Sequence, residues 1–131
     1  MTPFSKRRGL LRQRKIAYLA AAIFVCSGIT ASAACPGNTQ LELNECAAAE
    51  FQQADAQLNA VWPQVKGYMD SIGQGAVLLD AQRKWIPFRD AACTAEIAPY
   101  AGGSIQPLIW YSCLTRLTQT RTFDLQELMR R

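Results

Sequence analysis

The stretch at residues 81–93, AQRKWIPFRDAAC, constrains the fold of this 131-residue chain more than any other. Trp85 and Phe88 are three residues apart, and the apolar residues around them continue at spacings of three and four, the repeat of one helical face. This apolar stripe consists of Leu78, Ala81, Trp85, Phe88 and Ala92. We therefore predict a central helix that is covered on one side, with Trp85 and Phe88 in the core, and that is held covalently through Cys93 at its end.

Helical periodicity extends over most of the chain after residue 39. The tetrapeptide TQLE at 39–42 has the form of a capping box, and it predicts a first helix over about 40–72, ended by Gly73 and Gly75. A second helix is predicted over about 76–97. Ser104 is the predicted N-cap of a third helix, whose apolar positions extend to residue 128. No segment has β-branched residues at every second position, the pattern of a strand. We therefore predict an all-α, small three-helix domain with an antiparallel helix hairpin.

Two prolines lie inside the predicted helices, at Pro63 and Pro87. A proline there removes a hydrogen bond and bends the helix axis, at a cost of about 3 kcal/mol. The two prolines stand twelve residues either side of Gly75, so they lie at the same level in an antiparallel pair. We predict matched bends that let the two helices curve together.

The first 33 residues have the pattern of a secretory signal peptide. A basic segment precedes an apolar run at 16–29, which is shorter than the roughly 20 residues that span a bilayer, and small residues follow at 31–33. We predict a signal peptide over residues 1–33, with cleavage after Ala33 or Ala34, and a helical domain over 34–131 that is periplasmic or secreted. Lipid attachment at Cys35 is disfavoured because Ser32 stands where a larger aliphatic residue is expected, and we expect no membrane span after cleavage.

The net charge of the chain changes when the signal peptide is removed. The full sequence has a net charge of +4, whereas residues 34–131 keep eight Lys and Arg against ten Asp and Glu, a net charge of −2. No basic patch remains, which argues against a nucleic acid partner. A mildly acidic surface weakly favours a basic protein partner instead.

Four cysteines remain in the predicted mature domain: Cys35, Cys46, Cys93 and Cys113. An even number in a small exported domain indicates disulfides, and without His or a CxxC pair we expect no metal site and no cofactor. Cys93 and Cys113 stand ten residues either side of Gly103, so a turn at Gly103 places them opposite each other on two adjacent helices. A Cys46–Cys93 pair would have to span about 15 Å of helix axis. We therefore favour Cys93–Cys113 with Cys35–Cys46, each worth about 3 kcal/mol.

Five charged residues are spread over the three predicted helices: Asp55, Arg83, Arg89, Asp90 and Arg121. We interpret them as a structural network that fixes helix register, or as a solvated face. The alternative is an arginine presented to a partner carboxylate, which the planar guanidinium binds through two hydrogen bonds. Catalysis is poorly supported, because the chain has no His, its cysteines are expected to be oxidised, and no Ser or Lys has a base beside it. We therefore predict a binding protein without catalytic residues.

Four segments of the chain together form a specific pattern that covers almost all of 35–128. They are NTQLELNECAAAEFQQADAQLN (38–59), AQRKWIPFRDAAC (81–93), GGSIQP (102–107) and the spaced residues Cys113, Leu117, Thr118, Arg121 and Leu125. In this order they resemble the family named after the lysozyme inhibitor LprI. The resemblance implies an exported, helical, cysteine-paired domain that inhibits lysozyme. Lys84 and Pro87 depart from the small or ordinary helix residues of the family, so we expect the exposed face of the second helix to differ.

An inhibitor that acts by contact needs a protruding element that fills a cleft, and the turn at residues 99–104 is our candidate. The candidate partner-binding residues are Tyr100, Gly102, Gly103 and Ser104. Glycines allow close backbone approach, Tyr100 is a suitable anchor, and a disulfide at the base would preorganise the turn. The simpler interpretation is a connecting turn without a role in binding. The alternative function is an envelope interaction or immunity-type protein that binds another exported partner without inhibiting lysozyme.

Overall fold

The computed structural model describes residues 35–131, so the predicted signal peptide lies outside the described residues. Three helices, α1 (Gln40–Ser71), α2 (Gly75–Ile97) and α3 (Gln106–Leu128), form most of this part of the chain, and a 3₁₀ helix at Ala98–Tyr100 follows α2. No strand occurs among the described residues, which confirms the predicted all-α, three-helix fold. Within the same part of the chain, no helix has the length and apolar character needed to cross a membrane.

The first helix begins and ends at caps that its sequence specifies. Thr39 Oγ1 accepts a hydrogen bond from the Glu42 N–H (3.2 Å), and Glu42 Oε2 accepts one from the Thr39 N–H (3.0 Å), which together form the predicted capping box. At the other end Gly73 has φ +73°. The N–H groups of Gly73 and Gln74 donate to carbonyls in the last turn of α1, at 3.0 and 2.7 Å. These two bonds are the Schellman pattern, so the predicted glycine stop is confirmed.

The start of α3 differs from the prediction that Ser104 caps it. Ile105 occupies the N-cap position, and no side chain closes the first turn. The Ser104 carbonyl instead accepts a hydrogen bond from Asn44 Nδ2 of α1 (3.0 Å). The backbone at Ser104 is therefore held by a contact with α1. Pro107 lies in the first turn of α3, where a missing N–H is harmless because these donors have no intrahelical partner.

The helices α1 and α3 run parallel and make the most extensive helix contact in the described part of the chain. Asn44 of α1 contacts Ser104 at the start of α3, 60 residues further along. Phe51 contacts Tyr111, with the same separation in sequence and with ring centroids 6.2 Å apart. The short connections on either side turn α2 antiparallel to both. The predicted hairpin is therefore present, but α1 packs mainly on α3 rather than on α2.

The core consists of two clusters along the bundle. The first contains Leu58, Val65, Leu78 and Leu125, with contributions from all three helices. The second contains Cys93, Cys113 and Leu114, and Phe51 and Trp110 pack against it. The chain pairs its cysteines as predicted, with S–S distances of 2.08 Å for Cys35–Cys46 and 2.01 Å for Cys93–Cys113. The Cys93–Cys113 disulfide is thus part of the hydrophobic core.

The apolar stripe predicted on α2 is only partly covered. Leu78 is buried and Trp85 is half-buried, but Phe88 is 61% exposed, so the prediction that Phe88 lies in the core is wrong. At 100° per residue, Phe88 lies about 80° round the helix from Leu78. The disulfide to Cys113 turns the other flank of α2, which bears Cys93, toward α3. The Phe88 edge of the stripe is left in solvent as a result.

Ile72 at the end of α1 and Phe123 on α3, which continue the apolar spacing of their helices, are also exposed. Pro63 and Pro87 lie inside α1 and α2 as expected. The matched bends at these two residues stay a prediction.

Candidate functional site

Residues 98–105, which we call the α2–α3 connection, form a tightly hydrogen-bonded turn. The Gly103 N–H donates to the Tyr100 carbonyl (2.9 Å), and the Gly102 N–H donates to Gln106 Oε1 (3.1 Å). Gly102 has φ +77°, a left-handed conformation that residues with a Cβ rarely adopt. A Cβ at Gly103 would lie 3.2 Å from the Tyr100 carbonyl oxygen. The backbone of the turn therefore favours glycine strongly at residue 102, whereas a side chain at residue 103 would fit only tightly.

The α2–α3 connection is held at its base and at its side. The Cys93–Cys113 disulfide joins the two helices beneath it, and both of these residues are buried. At the side, Asn44 Nδ2 holds the Ser104 carbonyl. Asn44 is itself oriented by Gln40, whose Nε2 donates to Asn44 Oδ1 (2.9 Å). A turn restrained in this way loses little conformational entropy when it binds a partner.

The four predicted partner-binding residues share this one turn. Tyr100 is 41% exposed, and Gly102, Gly103 and Ser104 are exposed around it. Their role in partner binding stays a prediction. The α2–α3 connection contains no charged residue, so it could enter a cleft without taking a charge out of water.

Charge is unevenly distributed along α1, because residues 35–65 contain four carboxylates and no Lys or Arg. These carboxylates belong to Glu42, Glu45, Glu50 and Asp55. Hydrogen bonds from the backbone N–H groups of Asn38 and Thr39 lower the pKa of Glu42 below its usual value. The half of α1 that contacts the α2–α3 connection through Asn44 therefore contributes only negative charges of its own, which complement a positively charged partner.

The five charged residues expected to form a structural network do not come together. Asp55 accepts a hydrogen bond from the side chain one turn further along α1 (3.0 Å). Arg89 pairs with the adjacent Asp90 (2.8 Å), and Arg83 is exposed. Of the five, Arg121 alone forms a hydrogen bond to another helix, from Nε to a glutamine oxygen of α2 (2.9 Å). The five residues therefore do not form one continuous network, and their role in fixing the helix register stays a prediction.

Two of these arginines flank Trp85, and we call Trp85, Arg89 and Arg121 together the Trp85 cluster. The guanidinium carbons of Arg89 and Arg121 lie 5.2 and 5.9 Å from the Trp85 ring. Arg89 also lies 5.6 Å from the ring of Phe51 on α1, so cation–π contacts connect all three helices. Burial lowers the pKa of Arg121, and the nearby Asp124 opposes this effect. The spacing of Trp85 and Arg89 is a helical signal, but Arg121 joins them only through tertiary packing.

A separate groove of about 370 Å³ lies between α1 and α3. Its lining residues are all uncharged, namely Gln57, Ala60, Val61, Gln119, Thr122, Phe123 and Gln126. The groove includes none of the predicted site residues, and its lining offers no general acid or base.

One group of potential metal ligands occurs in the described part of the chain. The donor atoms of Cys35, Cys46 and Glu50 lie within 4.8 Å of one another. The two sulfurs are bonded to each other, however, and metals bind the thiolate form of cysteine. The oxidised protein is therefore left with a single carboxylate at this position, too few ligands for a metal site.

Comparison with known proteins identifies relatives of uncharacterized function. Residues 31–125 match the family described as "Lysozyme inhibitor LprI". An uncharacterized protein of Rhizobium meliloti is 37% identical over 103 residues, which cover 70% of this chain and 74% of that protein. The uncharacterized protein YecT of Escherichia coli is 27% identical over 103 residues, which cover 64% of this chain and 60% of that protein. No solved structure matches the chain.

Proposed function

The chain belongs to the lysozyme inhibitor LprI family, and we propose that it is an exported protein that inhibits lysozyme-type cell-wall hydrolases by binding them. Membership of this family is the observation that carries the proposal. The family is described by inhibition and not by catalysis, which supports a function exerted by contact. The disulfides Cys35–Cys46 and Cys93–Cys113 are compatible with an oxidising, extracytoplasmic location.

The α2–α3 connection is the proposed binding element. Glycosidases of the lysozyme type carry a pair of carboxylic acid groups beside the bond that they cleave. An uncharged, exposed turn can approach such groups without bringing like charges together, whereas the acidic surface of α1 could not. Tyr100 is the proposed anchor, because an aromatic side chain buries a large area and has few rotatable bonds.

The negative half of α1 is proposed to guide the encounter. Its four carboxylates would attract a positively charged hydrolase and bring the neighbouring α2–α3 connection toward the cleft. Exposed charges act mainly on the association rate and are screened by salt. Inhibition should therefore weaken as the ionic strength rises.

The proposal is tested by titrating the mature protein, residues 34–131 with both disulfides formed, into a lysozyme that clears suspended cell walls. The decisive variant is Tyr100→Ala with Ser104→Ala. Because Ser104 holds Asn44 through its backbone carbonyl, this change removes exposed side chains and leaves that bond in place. We expect inhibitory potency to fall at least about tenfold. Tyr68→Ala is the matched control, since Tyr68 is 36% exposed against 41% for Tyr100, and we expect no change there.

The possible results test the proposed binding element and the proposed inhibitory function separately. Unchanged inhibition by the double variant would exclude the α2–α3 connection as the binding element, but it would still support inhibition as the function. If the unaltered protein inhibits no lysozyme type, the proposed function is wrong. That result would favour an envelope interaction or immunity-type protein, and its exported partner could be sought by pull-down from envelope extract.

A further inference from the structure

Six positions of α2 form a continuous exposed seam, at spacings of four, three, four, three and four residues. The seam consists of Val77, Ala81, Lys84, Phe88, Ala91 and Ala95, all of which are exposed. Steps of four and three residues alternate, as they do between the a and d positions of a coiled coil, and this alternation keeps the side chains on one side of a helix. Val77 and Phe88 leave more than half of their surface in water. The helix α2 thus has a second apolar face, beside the one that packs in the bundle.

The seam is complementary to itself in one orientation. Its spacing reads the same in both directions, so an antiparallel copy places Val77 opposite Ala95 and Ala81 opposite Ala91. Lys84 then lies opposite Phe88, which suits the attraction between an ammonium group and an aromatic face. We propose that two copies of this chain associate through this seam, with their α2 helices antiparallel about a twofold axis. An isologous contact of this kind forms every pairing twice.

Charge on the seam does not oppose the association. Lys84 is its only charged member, and Lys84 Nζ lies 2.8 Å from Asp80 Oδ2 on the same helix. Each ammonium group therefore carries its own counter-charge, while its alkyl stem is free to pack on the partner's ring. A polar residue at one such position also favours a single register over sliding.

The size of the seam indicates a weak dimer. It extends over about 27 Å of helix at 1.5 Å per residue, and two helices in contact over that length bury on the order of 1,000 Å² in total, at the lower limit of specific interfaces. The small residues Ala81, Ala91 and Ala95 allow the two backbones to approach closely. The structure therefore predicts an equilibrium between monomer and dimer that depends on protein concentration.

Sedimentation equilibrium of the mature protein, from about 1 µM to about 500 µM, tests the association. We expect dimers to form within this range and Phe88→Ala to raise the dissociation constant at least about tenfold. Phe123→Ala is the matched control, because Phe123 is 57% exposed against 61% for Phe88 but lines the groove between α1 and α3. A protein that stays monomeric, or an equal effect of both variants, would overturn the proposal. The proposal would also be overturned if Phe88→Ala left the average mass in sedimentation unchanged but abolished hydrolase binding, because the seam would then be the surface that binds the hydrolase.

Cross-linking tests the orientation. Under mild oxidation, an Ala81→Cys variant mixed with an Ala91→Cys variant should form a disulfide-linked dimer, since these positions face each other only in the antiparallel arrangement. The Ala81→Cys variant alone should link much less readily. Equal linking of Ala81→Cys with itself would indicate parallel helices and would refute the pairing.

Discussion

Loss of the Cys93–Cys113 disulfide should destabilise this domain more than loss of the Cys35–Cys46 disulfide. The Cys93–Cys113 bond closes a loop with a sequence separation of 20 residues, for which loop entropy gives about 3.3 kcal/mol. Both cysteines are buried in the second core cluster beside Leu114, so replacing them with alanine also leaves a small cavity worth about 1 kcal/mol. Together these effects predict a loss of about 4 kcal/mol for Cys93→Ala/Cys113→Ala. The melting temperature should fall by about 16–32 °C, at 4–8 °C per kcal/mol.

The matched comparison is Cys35→Ala/Cys46→Ala. This disulfide has a sequence separation of 11 residues, which gives about 2.8 kcal/mol, and its half-buried cysteines leave no cavity in the core. Urea unfolding followed by circular dichroism should yield both the free energy and its slope with denaturant, since an opened loop exposes more surface on unfolding and raises that slope. A loss below about 1 kcal/mol for the Cys93 and Cys113 variant, or a loss no greater than that of the comparison, would refute the reasoning.

Two further predictions concern α1. A Cβ at Gly67, inside the helix, meets nothing within 4 Å, so Gly67→Ala should stabilise the domain by about 0.5–1 kcal/mol in urea unfolding, and a destabilised variant would contradict this. The lowered pKa of Glu42 means that the folded chain binds this proton less readily than the unfolded chain. Its contribution to stability is therefore complete above the unfolded pKa and is lost as the pH falls through the folded one. When unfolding is measured from pH 7 to pH 3, the free energy of unfolding should fall less for Glu42→Gln than for the unaltered protein. Identical pH profiles would exclude this role of Glu42.

The helix ends and the disulfide pairing were predictable because they depend on neighbouring residues. The predicted end of α1 at residue 72 and start of α2 at 76 differ by one residue from Ser71 and Gly75, since a capping box and a glycine stop act within one turn. The Cys93–Cys113 pair followed from its symmetry about Gly103, because a short turn leaves the two helices little freedom to slide.

The errors arise where the outcome depends on how whole helices are rotated and packed. Phe88 lies on the predicted apolar stripe, but its burial depends on which flank of α2 faces α3. Ser104 has the chemistry of an N-cap, yet Asn44, 60 residues away, binds its carbonyl and the helix starts one residue later. The Trp85 cluster was missed for the same reason, since Arg121 reaches Trp85 from another helix. The position of the α2–α3 connection could be predicted from the sequence. The hydrogen bond from Asn44 to the Ser104 carbonyl, which holds this connection against α1, could not.

Neither cystine crosses the glycine turn between α1 and α2. Cys35–Cys46 lies wholly before that turn, and Cys93–Cys113 lies wholly after it. A single backbone cut at residues 72–74 would therefore yield two fragments without a covalent link, an α1 peptide and an α2–α3 hairpin. In this respect the domain resembles a complex of two preshaped pieces, each braced by its own sulfur bridge and held to the other by side-chain packing and hydrogen bonds.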